Sequence, residues 1–476
     1  MKPRRCIVWF RQDLRLHDNE ALDSALDLAD EVIPVYVFDN RTFLEKTSFG
    51  FPKTSAHRAQ FILESVHDLR QALKKRGCDL VVRTGKPEEI IFELATKWQI
   101  SWVFANMERM EEEVQVQAAL EKNLWKTGIE LRLLRGKMLY YTQDLPFPVA
   151  HTPEVFTQFR KEVERSISIR LPLPSPIRFN KWTTRVETGD IPTLEAFNLT
   201  PLPPSPHTAF PFKGGETAGL ARLQYYLWES NAVKDYKQTR NGLLGADYST
   251  KFSPYLAQGC LSPKMIYSEI KKYEAARGGN EGTYWVFFEL LWRDYFRLMG
   301  KKHGNDLFKK GGLARQENPN WTEDRPLFDY WAAGNTGIPL IDANMRELNA
   351  TGFMSNRGRQ LVASFLIKDL QINWQMGAEY FESLLLDYDS CSNYGNWNYA
   401  AGIGNDTRED RYFNILKQAK LYDAKGEYVR TWLPALHHIS GFQAHQPNCL
   451  SPEEQQHFNI RLGIDYPMPI VDTTKY

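Results

Sequence analysis

The sequence predicts an α/β N-terminal domain with a Rossmann-like parallel sheet of five strands, joined by a long proline-rich connector to an all-α domain. Three observations predict it. Short apolar runs alternate with helix-period segments over the first ~140 residues. Nine prolines fall between Pro172 and Pro211. From Glu216 onward the apolar period is helical.

Strands are expected at residues 6–10, 32–38, 80–83, 102–105 and 131–134. Helical patterns lie between them at 19–29, 55–76, 87–98 and 111–126. Strands spaced by helices indicate βαβ units and a parallel sheet. Runs apolar on both sides suit a sheet covered on both faces. The turn after the first strand, Arg11-Gln-Asp-Leu-Arg15, lacks Gly-x-Gly-x-x-Gly, so the sheet is not expected to bind a nicotinamide dinucleotide there.

A proline run as dense as 172–211 excludes regular helix and inner strand, and it reads as an extended connector lying across the protein. Gly214-Gly215 closes it. The expected boundaries are 1–140, 141–213 and 214–476. In the last part, Ser253-Pro254 and Ser262-Pro263 each place an N-cap residue before a helix-starting proline. Amphipathic runs follow at 282–301, 338–349, 357–374 and 378–386. The last ~30 residues read as ordinary surface chain without a long tail.

Bulk composition narrows the function classes. A length of 476 residues suits two or three domains. A formal net charge of +1 means that nucleic acid would have to meet basic residues concentrated on one face. Aromatic residues make up 13%, including 13 Trp, enough for a large aromatic core and an aromatic-lined ligand site besides. Five scattered cysteines without a Cys-x-x-Cys pair suggest free thiols in a reducing compartment and argue against a metal cluster. No apolar stretch approaches the ~20 residues that span a membrane. A cytoplasmic protein is expected.

Chemistry-bearing residues crowd between Asn356 and Ala401. Basic, acidic, carboxamide and indole groups share about one helix-loop-helix, a mixture too costly for a plain core unless paired. A large, polar, aromatic ligand such as a flavin has a use for it. Arg359, Asp387 and Asp389 read as a structural Arg–Asp pair or as metal ligands. No His or further carboxylate completes a metal site. Tyr248-Ser-Thr-Lys-Phe-Ser253 reads either as a capped helix or as an anion site at a helix start. Glu289, Trp292, Arg293 and Phe296 share one helix face at i, i+3, i+4 and i+7, which fits an ion pair beside a core tryptophan or a substrate wall. Lys234, Lys237, Arg240 and Lys251 outnumber Asp235 and Asp247, and with Arg357 they form a solvated face or a backbone-tracking groove.

Five motifs, in order, resemble the photolyase/cryptochrome family, and most its DASH-type cryptochromes. They are Trp9-Phe-Arg-Gln-Asp-Leu-Arg-Leu-His-Asp-Asn19, Tyr248-Ser-Thr-Lys-Phe-Ser-Pro254, Phe288-Glu-Leu-Leu-Trp-Arg-Asp-Tyr-Phe296, Asn344-Met-Arg-Glu-Leu-Asn349 and Asn356-Arg-Gly-Arg359. The resemblance covers nearly the whole chain.

That resemblance implies FAD in the helical domain. Ser249, Thr250, Lys251 and Ser253, with Tyr236 and Phe252, would hold its pyrophosphate and ribityl chain. Arg293, Arg359, Asp387 and Asp389 would lie near the ring, with Asn393 facing flavin N5. Glu289, Trp292 and Asn356 would meet a cyclobutane pyrimidine dimer. Trp397, Trp374 and Trp321 would form an electron-transfer triad from the flavin outward, although each tryptophan alone reads more readily as core than as relay. Gln360 stands where duplex photolyases usually have methionine and (6-4) photolyases histidine, and Tyr399 replaces a tryptophan. Both changes resemble the DASH pattern and suggest a more polar pocket for single strands. Lys237, Arg240, Arg357 and Tyr399 would contact the nucleic acid. A 5,10-methenyltetrahydrofolate antenna is implied, with Glu108 as its carboxylate or else a surface helix acid.

The expected function is blue-light repair of cyclobutane pyrimidine dimers, preferentially in single-stranded DNA, by a monomer. RNA is the alternative nucleic acid. The second reading is a blue-light photoreceptor or nucleic-acid-binding regulator. A third, an unrelated redox enzyme, would need a nicotinamide site that the sequence lacks.

Overall fold

Strand β1 (Arg5–Phe10) is the centre of a five-stranded sheet with order β3-β2-β1-β4-β5. Its partners are β2 (Glu31–Asp39), β3 (Val81–Gly85), β4 (Trp102–Asn106) and β5 (Glu130–Leu134). Every pairing is parallel. The computed structural model describes residues 3–317, 320–404 and 412–474.

Side chains alternate across a strand, and β1 uses both faces. Cys6, Val8 and Phe10 enter one core, whereas Ile7 and Trp9 enter another. Helices Glu20–Leu28 and Ala56–Lys74 cover the first face, and Pro87–Lys97 and Glu111–Trp125 the second. The five expected strands and four expected helices all form, within two residues at each end.

The turn after β1 docks onto the helical part. Glu216 accepts hydrogen bonds from the backbone of Leu16 (2.8 Å) and His17 (3.0 Å), and from His17 Nδ1 (2.5 Å). The buried Arg15 guanidinium donates to the carbonyls of His17, Asp18, Gly136 and Gly259. Gly259 is required here, because a Cβ would fall 2.2 Å from the Gln12 carbonyl oxygen. Open parallel sheets bind ligands beyond the carboxyl ends of their strands. In this protein that place is filled by its own turn.

Residues 172–193 carry no regular secondary structure and run along the sheet. Trp182 Nε1 donates to Val32 O at 2.7 Å, and Val82 N to Thr188 O at 2.7 Å. Among the described residues beyond Leu134 there is no further strand. The long helix Glu281–His303 opens with a capping box between Asn280 and Thr283. Ser390–Ala401 packs against it, Trp374–Leu384 and Asn356–Ser364 pack against Ser390–Ala401, and Pro339–Thr351 packs against Asn356–Ser364.

Two expectations are corrected. The run 357–374 is not one helix: a π turn at Phe365–Asp369 ends it, and Gln371 takes a left-handed φ of 54°. The cause is competition for backbone groups. Thr322 N donates to Gln371 O (2.9 Å), and Asn373 N to Thr322 O (2.8 Å). Ser253 is not an N-cap either. It is the first residue of the five-residue helix Ser253–Ala257, with Phe252 before it. Ser262 does cap its helix, accepting from Lys264 N and Met265 N. Among the described residues no helix is long and apolar enough to cross a membrane.

Candidate functional site

The helical part holds an open cavity of about 540 Å³. That falls within the ~300–1,000 Å³ of small-molecule pockets. A second hollow of about 120 Å³ adjoins it and shares Asn356, Arg359, Gln360, Asp387, Asp389 and Tyr399 with it.

One wall is the helix Glu281–His303. Glu289, Trp292, Arg293 and Phe296 all line the cavity, as their spacing requires. Trp292 stacks on Phe156 (centroids 3.7 Å apart, planes at 10°) and meets Tyr399 edge-on at 5.7 Å. Phe156 was not legible as a site residue. Glu289 pairs with Arg240, whose guanidinium lies 4.8 Å over Trp285. Burial pushes the Glu289 carboxyl up, and Arg240 opposes this.

Tyr236, Ser249, Thr250, Lys251, Phe252 and Ser253 also line the cavity, Tyr236 beside Arg240. The helix that starts here is too short for a strong dipole, so Lys251 carries the preference for an anion. Lys251 adopts φ 60°, and its ammonium is buried without a hydrogen-bond partner, 3.1 Å from the Tyr248 ring centre. Burial drives it well below the usual lysine range. Gln360 Oε1 and Asp387 Oδ1 are likewise buried and unpartnered on the cavity wall. Such orphans are costly, and a polar ligand of FAD's size, with phosphates at one end and a hydrogen-bonding ring at the other, satisfies them. The residues present therefore fit FAD.

Arg359 Nη2 donates to Asp387 at 2.9 Å, beside the cavity. Asp389 caps the helix Ser390–Ala401 through Ser392 N and pairs with Arg297 at 2.9 Å. Arg297 extends the pattern one turn beyond Arg293, and that i+4 spacing was the signal for it. It also meets Glu108 at 3.3 Å, and Lys137 closes on the same carboxylate. Glu108 is thus neither a surface acid nor an open ligand carboxylate. It lies buried between two cations. Burial opposes its ionisation, yet Lys137 and Arg297 hold it below the usual carboxylate range. The nearby, half-buried Glu113 is pushed up to about 7 by burial and by Glu108.

Asn393 and Trp397 line the smaller hollow. Asn393 Nδ2 donates to Ala378 O at 3.0 Å. Trp397 fits because residue 377 is glycine: a Cβ there would sit 2.2 Å from the indole. Gly377 lies on the helix that begins with Trp374, which is fully buried. The Thr322–Ile372 backbone bridge brings half-buried Trp321 to the same helix start. The three tryptophans thus run from the hollow toward the surface.

The four expected nucleic-acid residues are divided. Arg240 and Tyr399 line the cavity. Lys237 lies outside it, paired with Glu281 at 2.8 Å. Arg357 rests on Tyr422 and Phe413, also outside. Lys251, counted with the basic face, is buried at the phosphate corner instead. Among the described residues no group of metal-ligating side chains occurs.

Comparisons with known proteins agree with this geometry. Residues 6–177 match the family described as DNA photolyase, and residues 285–476 match the FAD binding domain of DNA photolyase. The chain is 51% identical over 472 residues to a cryptochrome DASH from Gloeobacter violaceus, covering 99% of this chain and 94% of that protein. It superposes on a Synechocystis sp. PCC6803 cryptochrome with a TM-score of 0.96 at 48% identity, covering 100% of this chain and 98% of the other. A class III photolyase from Agrobacterium tumefaciens gives a TM-score of 0.87 at 29% identity, with 100% and 96% covered. On this evidence the chain belongs to the photolyase/cryptochrome family, in its DASH-type cryptochrome branch.

Proposed function

We propose that this protein repairs cyclobutane pyrimidine dimers under blue light, preferentially in single-stranded DNA, with FAD in the large cavity. One observation supports this above others. A phosphate corner, a ring-facing Arg359–Asp387 pair and a substrate wall of Glu289, Trp292, Gln360 and Tyr399 open on one continuous space. Family membership brings a light-dependent function and an FAD-binding domain. The lesion and strand preference rest on the residues.

When bound, FAD supplies the light-driven electron. The chain's own groups orient the partners and set charge. Lys251 meets the diphosphate. The Arg359 cation, fixed by Asp387, favours negative charge beside the ring. Asn393 presents a neutral amide at the ring edge. Glu289 offers hydrogen bonds to base edges, and Trp292 and Tyr399 give the extruded dinucleotide aromatic surface. Gln360 makes that surface more polar, so it repays less of the cost of opening a duplex. Trp397, Trp374 and Trp321 would relay electrons from an external reductant at the surface toward the cofactor.

The same reading divides the chain at 1–140, 141–213 and 214–476 and makes it a cytoplasmic monomer. It places a 5,10-methenyltetrahydrofolate antenna in the cleft near Glu108. Because Glu108 is already paired, the neighbouring Glu113 is the better carboxyl for a pterin. The test is the absorbance spectrum of the purified protein, followed by blue-light repair of a single thymine dimer. Flavin bands with dimer splitting are expected. Flavin without splitting on any substrate would favour the photoreceptor reading.

A further inference from the structure

Three buried polar atoms lack hydrogen-bond partners: the Tyr248 hydroxyl and the Lys251 ammonium, both on cavity-lining residues, and Glu347 Oε1 behind them. Glu347 belongs to the Asn344–Asn349 motif and has no part in the site as described so far. It is fully buried on the helix Pro339–Thr351, and its other oxygen accepts from the Tyr428 hydroxyl at 2.6 Å. The charges acting on it are the cations of Lys251 and Arg359, the latter held by Asp387. Tyr248 is the remaining titratable neighbour. Beyond Tyr428, Asp423 is occupied by His445 at 3.2 Å.

We propose that Glu347 takes up one proton from solvent when the cofactor's diphosphate occupies the Lys251 corner. This rests on the FAD reading. Before binding, Arg359 and the charged form of Lys251 offset the Glu347 carboxylate. The diphosphate then claims the Lys251 cation and adds negative charge in a poorly hydrated place, so the neutral acid becomes the stable form. One carboxylate and one proton give one carboxylic acid, and no other bond changes. Tyr428 still donates to the acid's carbonyl oxygen.

Burial, partly offset by Tyr428 and the two cations, already pushes this carboxyl up to about 7. Below that pH the acid is preformed and binding needs no proton. Above it one proton must be bound, so FAD affinity falls by at most about tenfold per pH unit.

The test is calorimetric titration of FAD into the full-length apoprotein at pH 6 and pH 8, in two buffers of different ionisation heat. The expected uptake is near zero at pH 6 and near one proton at pH 8. Glu347→Gln is expected to remove both the uptake and the pH dependence of Kd. Tyr428→Phe, which removes a hydrogen bond to the carboxylate, moves the fall in affinity to higher pH. FAD binding without proton uptake at pH 8 overturns the proposal, and the wild type alone decides this if a variant fails to fold. Uptake undiminished in Glu347→Gln overturns it as well. Failure of FAD to bind at either pH overturns the cofactor reading instead.

Discussion

Arg240 and Glu289 are paired across the cavity wall, with the guanidinium lying over Trp285. The cavity-lining Glu289 carboxylate is thus already paired with a cation in the free protein. Glu289→Ala is expected to lower dimer repair while flavin stays bound, because the charges acting on Lys251 are those of Glu347, Arg222, Arg359 and Asp247 and not that of Glu289. Losing a hydrogen bond to a charged group costs about 1.5–3 kcal/mol, or roughly 10- to 100-fold in repair rate. Unchanged repair would remove Glu289 from the substrate wall, and loss of flavin would make it a cofactor residue.

Trp397→Phe should block photoreduction of oxidised flavin and leave repair by chemically reduced protein intact. Phenylalanine preserves the packing against Phe381 and is much harder to oxidise. Flavin bleaching under blue light with an external thiol measures this. Bleaching at the wild-type rate would leave Trp397 a core residue.

Gly377→Ala probes the same contact from the other side. The added methyl meets the Trp397 indole, and overpacking typically costs about 1–3 kcal/mol. A lower Tm is expected, together with slower photoreduction. A Tm equal to wild type would show that the indole moves freely.

Much of this was legible in the sequence, for identifiable reasons. Strand period placed β1 to β5, but period says nothing about which strands are neighbours, so the order β3-β2-β1-β4-β5 was not readable. Helical spacing put Glu289, Trp292, Arg293 and Phe296 on one face, and they share one cavity. The failures were long-range. Nothing local reveals that Phe156 reaches Trp292, or that Lys137 reaches Glu108. The helix break at Leu370 depends on Thr322, about fifty positions away.

Arg297→Met should make the protein acid-sensitive. Arg297 sits between Glu108 and Asp389, all three buried. Despite burial, nearby cations hold both carboxyls below their usual range. Folded values below the unfolded ones of ~4 give stability that is present above pH ~4 and lost as pH falls through the folded values. Without Arg297 the folded values rise, so acid unfolding is expected to begin at higher pH. Breaking one member of such a network costs about 3–5 kcal/mol. Circular dichroism against pH checks this, and an unshifted acid transition would contradict it.

Repair should be efficient on a single-stranded oligonucleotide and poor in intact duplex. Gln360 and Tyr399 line a polar pocket, and base flipping in paired DNA costs a few kcal/mol. A net charge of +1 limits nonspecific duplex affinity. One thymine dimer in a single strand, a bubble and a duplex provides the measurement, with binding expected to weaken as salt rises. Equal rates on single strand and duplex would return the pocket to the ordinary photolyase type.

The docked turn after β1 also sets a timetable for synthesis. His17 Nε2 accepts from Ser262 N, 245 residues later in the chain. A ribosome adding ~5–20 residues per second takes roughly 12–50 s to deliver that partner. The sheet's residues emerge well before then, but Arg15 waits for Gly259, His17 for Glu216 and Ser262, and Asp18 for Ser262. The nascent sheet therefore carries an unfinished polar edge through most of translation, and the turn is sealed only when the helical part arrives.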